Sequence, residues 1–208
     1  MYKVKSYSKS TDDNAYYIEL LYLDNPIIVK TRSYKVKPMH QKAYIKREVT
    51  IIGECNHSEL YNYLVEQYPL FIYFVPEEYL HDNMIDNAIT KEGDVLSMID
   101  KSLRTKDRCY KAVMENGLCY RFIPKELRDF NLAYTAISSN GMALKHIEED
   151  YKIYELCLRA VFNDLRAIKY VKEEYIEQLL LDLFYLGKID EIKVNNLKEE
   201  LKLVKKNK

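Results

Sequence analysis

The 208-residue sequence has no tryptophan, five glycines, five prolines and four cysteines. Three of the five glycines, Gly93, Gly117 and Gly141, recur at a fixed spacing and belong to a structural pattern. That leaves only Gly53 and Gly187, far apart in the chain, and argues against a P-loop or dinucleotide-binding fingerprint. The cysteines form no C-x-x-C pair, and the neighbours Cys55 and His57 have no second half of a zinc site. His40, His57, His81 and His146 show no H-E-x-x-H spacing. No apolar run approaches the roughly 20 residues that span a bilayer. The first residues, MYKVKSYSKSTDDN, carry lysines but no apolar segment of the secretory kind. The expectation is a protein of the cytoplasm, a host cytoplasm included, with no membrane partner and no cofactor or metal.

What is present is an ordinary globular balance, 48% hydrophobic and 31% charged, with a formal net charge of zero. The charge is unevenly spread. Residues 1–53 hold ten Lys/Arg against five Asp/Glu, a balance of +5, so the remainder carries −5. Such asymmetry fits either a solvated sheet face or a polyanionic partner at the basic end. Within this segment, residues 15–23 (AYYIELLYL), 27–37 (IIVKTRSYKVK) and 43–52 (AYIKREVTII) combine β-branched and aromatic residues with alternation, the pattern of half-buried antiparallel strands. A further strand fits residues 2–8. Asp24-Asn25-Pro26 reads as a turn, and Gly53 marks the end of the unit.

Beyond it the chain repeats. Ala88, Ala112, Ala136 and Ala160 stand 24 residues apart, each followed by Ile or Val. Eight residues after the alanines come Leu96, Tyr120, Leu144 and Ile168; eleven after come Ile99, Ile123, Ile147 and Val171. Leu64, Val65, Ile72 and Val75 continue the columns upstream. Apolar residues at i, i+3 and i+4, such as Cys109/Ala112/Val113, give one face of a helix. Asn83, Asp107 and Asn131 are expected as N-caps, and the glycines as left-handed helix ends. A second, shorter helix and a charged linker complete each unit. No unit of this size buries its apolar face alone, so neighbours must stack. Leu181, Phe184 and Tyr185 are expected to continue the columns into a degenerate sixth unit. The fold class is therefore α+β: residues 1–55 a basic antiparallel β unit, and residues 56–208 a solenoid-like α-helical repeat domain of two-helix units with a degenerate C-terminal cap.

The segments 112–120 (AVMENGLCY) and 136–144 (AISSNGMAL) resemble a helical-repeat family of unknown function, whose members carry an A-V-x-x-N-G-x-A-L type core and occur in bacterial, phage and giant-virus proteins. The resemblance covers roughly residues 60–176. It implies the fold and no catalytic residues, because the shared positions are packing and capping positions. Gly93 follows Glu92 where the pattern wants Asn, and Leu165 replaces the glycine.

Candidate chemistry is sparse. Cys109 and Cys157 share a column with Ile85 and Ala133, and Cys119 shares one with Val95, Ala143 and Ala167, so three cysteines read as small core hydrophobes. The ninth column after the alanine reads Ser97, Arg121, Lys145, Lys169; the tenth reads Met98, Phe122, His146, Tyr170, with Phe74 upstream. Stacking turns these columns into a basic ladder beside an aromatic one. The expectation is a non-catalytic protein–protein interaction module that binds a protein partner through Arg121, Phe122, Lys145, His146, Lys169 and Tyr170. Its specific form is a phage-type inhibitor docking on a host defence nuclease, of the anti-CRISPR kind. One alternative is RNA binding through Lys30, Arg32, Tyr34, Lys35, Lys37, Tyr44, Lys46 and Arg47 of the N-terminal sheet. Another is a nuclease-like enzyme with a site near His57, drawing on His40 and Cys55.

Overall fold

The computed structural model describes residues 2–9, 16–22, 25–36 and 44–206. The chain forms two compact units, Met1–Ala88 and Ile89–Lys208. The fold is α+β, a four-stranded antiparallel sheet at the N-terminal end followed by a helical region.

In the first unit, strands β1 (Tyr2–Lys9), β2 (Tyr16–Tyr22), β3 (Asn25–Val36) and β4 (Tyr44–Ile52) pair in sequence order. The alternation read from the sequence sets which face is covered: Ile18, Ile27, Val29 and Thr31 are buried, whereas Lys30 between them is exposed. A register shift between Val4 and Ser6 interrupts the β1–β2 ladder. Of the expected turn Asp24-Asn25-Pro26, Asn25 and Pro26 instead open β3, where they pair with Tyr22 and Leu21; Asp24, together with Lys37 and His40, lies outside the described residues. Gly53 takes a positive φ of 119° at the exit from β4. Asn56 then caps α1 (His57–Gln67), its side chain accepting from the Glu59 N–H at 3.3 Å. Leu60, Leu64 and Val65 of this helix are buried, as are Phe71, Ile72 and Phe74 of the 3-10 segment Pro69–Phe74.

The 24-residue period is reproduced in the backbone. Helices α2 (Asp82–Lys91), α3 (Lys106–Glu115), α4 (Phe130–Ser139) and α5 (Tyr154–Asn163) start at that interval. Each is followed by a second helix of the 3-10 type: Gly93–Ser97, Gly117–Phe122, Gly141–His146 and Leu165–Tyr170. The linkers are also helical, with short 3-10 turns at Lys101–Leu103, Lys125–Leu127 and Glu149–Tyr151. The four column alanines and the Ile or Val after each are buried, 1% exposed or less.

Three local expectations are corrected. The N-caps stand two residues earlier than expected: Thr105 and Asp129 accept from the Arg108 and Leu132 N–H groups, and His81 Nδ1 accepts from Met84 N–H. Asn83, Asp107 and Asn131 lie inside their helices. A cap must precede the first helical residue to reach the free N–H groups, and the helices begin earlier than the apolar columns imply. Gly93, Gly117 and Gly141 are not left-handed; positive φ among the glycines occurs only at Gly53 and Gly187. They open the 3-10 segments, and the next unit's helix passes against them. A Cβ at Gly117 would fall 2.0 Å from the Ala136 carbonyl oxygen, and one at Gly141 would fall 2.2 Å from that of Ala160. Small residues in both columns let successive units approach this closely. Their contact is sealed at the column 22 residues after each glycine. Glu115 Oε2 accepts from the Gly93 N–H (2.6 Å), Ser139 Oγ accepts from the Gly117 N–H (3.2 Å), and Asn163 Nδ2 donates back to the Ile137 carbonyl (2.9 Å).

The third correction is the sixth unit. In α6 (Glu173–Tyr185), Leu179, Leu180 and Leu183 are buried, while Leu181, Phe184 and Tyr185 are exposed. The buried set has slipped one residue toward the N-terminus. Leu165, standing where the earlier units have glycine, keeps α6 from the close approach that requires no Cβ. A final helix, α7 (Glu191–Lys206), follows. Among the described residues, no helix is long and apolar enough to cross a membrane.

Candidate binding surface

The 3-10 segments decide which side chains reach solvent. With three residues per turn, positions i and i+3 eclipse. Tyr120/Ile123, Leu144/Ile147 and Ile168/Val171 therefore point inward together, and all six are buried. The two residues between each pair are left outward. Arg121, Lys145 and Lys169 are exposed, and Phe122, His146 and Tyr170 are half-buried. The structure thus places all six expected partner-binding residues at equivalent positions of three consecutive units. Phe74, expected one rung upstream, is buried instead.

The Arg121 guanidinium lies over the Phe122 ring, 4.5 Å from its centroid, and 3.9 Å from the Asp94 carboxylate. Burial, then the positive charges of Lys145, Arg121 and Arg128, hold the His146 imidazole below its usual range. His146 is therefore neutral near pH 7, and the second column stays aromatic and uncharged beside a cationic one.

A second basic column was not anticipated. Arg104, Arg128 and Lys152 stand 16 residues after the alanines and turn inward. Arg104 donates to the carbonyls of Ile99 (2.9 Å) and Phe122 (2.8 Å), and Arg128 donates to Ile123 O (2.9 Å). These bonds satisfy carbonyls at the ends of the 3-10 segments. Arg128 also pairs with Glu148 at 2.7 Å. The other Glu148 oxygen accepts from the Tyr120 hydroxyl at 2.6 Å, which supplies a partner for the one phenol in a column of aliphatics. Burial alone would raise the Glu148 carboxyl, but the bonds from Tyr120 and Arg128 outweigh it and hold the group below the usual carboxylate range. Burial, then Glu148, pushes the Tyr120 phenol up. The period of this basic column is visible in the sequence; its inward direction is not.

The outer faces of the α-helices carry a further set. Met114, Tyr134 and Phe162 are exposed. Arg159 sits 4.6 Å over the Tyr134 ring, and Lys188 sits 4.5 Å over that of Phe162.

The alternative nucleic-acid residues are divided by the strand register. Tyr34 pairs with Lys46, Arg32 with Glu48 and Val36 with Tyr44, which puts Arg32, Tyr34, Tyr44 and Lys46 at positions of the same parity as exposed Lys30. Lys35 and Arg47 fall on the opposite parity. Lys30 lies 5.4 Å over the Tyr17 ring.

Cys109, Cys119 and Cys157 are fully buried. Burial pushes the Cys109 thiol up to about 11, and raises those of Cys119 and Cys157 as well. Cys55 is half-buried, and burial raises its thiol too. A thiol raised in this way is a poor nucleophile near neutral pH. His57 sits edge-on to Tyr61 and Tyr79 at 6.4 and 6.2 Å. His81 is engaged in its cap, and its Nε2 lies 2.8 Å from Asn62 Oδ1, which makes Nε2 the protonated nitrogen. Among the described residues, no group of three or more His, Cys, Asp or Glu is arranged to hold a metal ion.

One family model matches the chain. It is described as a domain of unknown function (DUF4116), and it covers residues 105–152. The matched stretch is two full periods of the repeat, from the cap of α3 to Lys152. No curated protein and no solved structure matches.

Proposed function

We propose that this chain is a non-catalytic repeat module that binds a protein partner through the ladder face, with Arg121, Lys145 and Lys169 meeting acidic groups and Phe122, His146 and Tyr170 supplying the apolar contact. The observation that carries the reading is the outward placement of these pairs at equivalent positions in three successive units. A cation beside a half-buried ring is the composition of an interface hot spot, where Arg and aromatic residues dominate. The engaged or buried state of Cys109, Cys119, Cys157 and His81 is consistent with the same reading. A finer form has a host defence nuclease as the partner, inhibited by occlusion.

The test is affinity capture with the full chain and with R121E/K145E/K169E. The exposed positions tolerate the exchange, so both fold. Wild type retains a protein partner that the variant loses. Capture of the same partner by both would refute the reading, as would retention of nucleic acid alone.

A further inference from the structure

The groove between α6 and α7 has a different character from the ladder. It is a half-open groove of about 560 Å³, lined by Glu173, Glu174, Ile176, Glu177 and Leu180 from α6 and by Lys198 and Leu201 from α7. That volume lies within the range of specific ligand pockets. Its floor is aliphatic: Ile176 and Leu180 are one turn apart on α6, and Leu201 faces them. Its rim carries three glutamates against one lysine. Acidic residues at a helix start favour the positive end of the helix dipole, which accounts for Glu173 and Glu174. It does not account for Glu177, a turn further on, or for the half-buried Ile176 and Leu201 beneath it.

We infer that this groove is a second docking site, which takes a short cationic amphipathic segment of a partner protein, with lysine or arginine side chains on the glutamate rim and a large aliphatic or aromatic side chain on Ile176 and Leu201. Charge complementarity selects the occupant: an acidic segment is repelled by the rim, and a uniformly polar basic one leaves the floor unfilled. The site is independent of the ladder face, whose charge has the opposite sign.

Fluorescence anisotropy tests this with the full chain and a labelled helical peptide of repeating Leu-Lys-Lys-Leu units. A control peptide has the same composition but scrambled phase. Saturable binding is expected for the amphipathic peptide and at least ~tenfold weaker binding for the scrambled one, a difference of about 1.4 kcal/mol. E174K/E177K should weaken binding by ~tenfold or more. E174Q/E177Q, which avoids placing cations at a helix start, should give an intermediate loss. R121E/K145E/K169E should leave binding unchanged. Equal binding of the two peptides, undiminished binding by both glutamate variants, or no saturable binding would overturn the proposal. So would sedimentation showing that a second copy of the chain fills the groove.

Discussion

The alpha carbon of Gly117 faces the carbonyl of Ala136 so closely that a Cβ there would lie 2.0 Å from the oxygen. This relationship, repeated between Gly141 and Ala160, sets the separation of successive units and hence the spacing of the ladder. Gly117→Ala should therefore destabilise toward the upper end of ~1–3 kcal/mol, because backbone must move. Gly187→Ala meets nothing within 4 Å and pays only for a left-handed alanine, about 1 kcal/mol. Urea midpoints of the two variants check the order.

Asp129 and Ile153 occupy the same cap column, but only Asp129 accepts a bond from the helix it precedes. Asp129→Ala should cost about 0.5–2 kcal/mol, and Ile153→Asp should stabilise α5 by about 0.5–1 kcal/mol. Thermal melts at neutral pH test both, with the second expected to raise the midpoint. No change in Ile153→Asp would show that α5 starts differently.

Glu148 links Tyr120 and Arg128, and its carboxyl is held below the usual carboxylate range. A depressed carboxylate contributes stability above its unfolded value of about 4.3, and the contribution is lost as pH falls through the lower folded value. Glu148→Gln should be less stable than wild type at pH 7, with the gap narrowing as the pH falls below the unfolded value. A gap that widens in acid would contradict the assignment.

The thiols offer a check on the core. Cys55 should react with an aromatic disulfide reagent in the folded chain, slowly, because burial raises its pKa. Cys109, Cys119 and Cys157 should react only after unfolding. Fast reaction of a second thiol would mean that a column cysteine is not packed as described.

Much of this architecture was legible in the sequence. Strand alternation located β2, β3 and β4 to within two residues of their observed ends, and the alanine spacing located α2 to α5. What escaped has physical reasons. A glycine five residues after an alanine fits a left-handed helix end as well as a close approach, and only the position of the next helix separates the two. Apolar columns mark the buried face of a helix but not its first turn, so the caps were set too late. The inward turn of Arg104 and Arg128 depends on carbonyls that 3-10 segments leave free, and the apolar periodicity does not distinguish these segments from α-helix. In α6, Leu181, Phe184 and Tyr185 matched the period in type. The slip to Leu179, Leu180 and Leu183 follows from Leu165, a single departure whose consequence lies in packing. For the ladder, position was legible and occupancy was not.

Hydrogen–deuterium exchange on the captured complex tests the central claim most directly. The account predicts that partner binding slows exchange in Gly117–Phe122, Gly141–His146 and Leu165–Tyr170 together, at the 24-residue interval. Protection confined to the outer faces of α3 to α5 around Met114, Tyr134 and Phe162, or to β3 and β4, would contradict it.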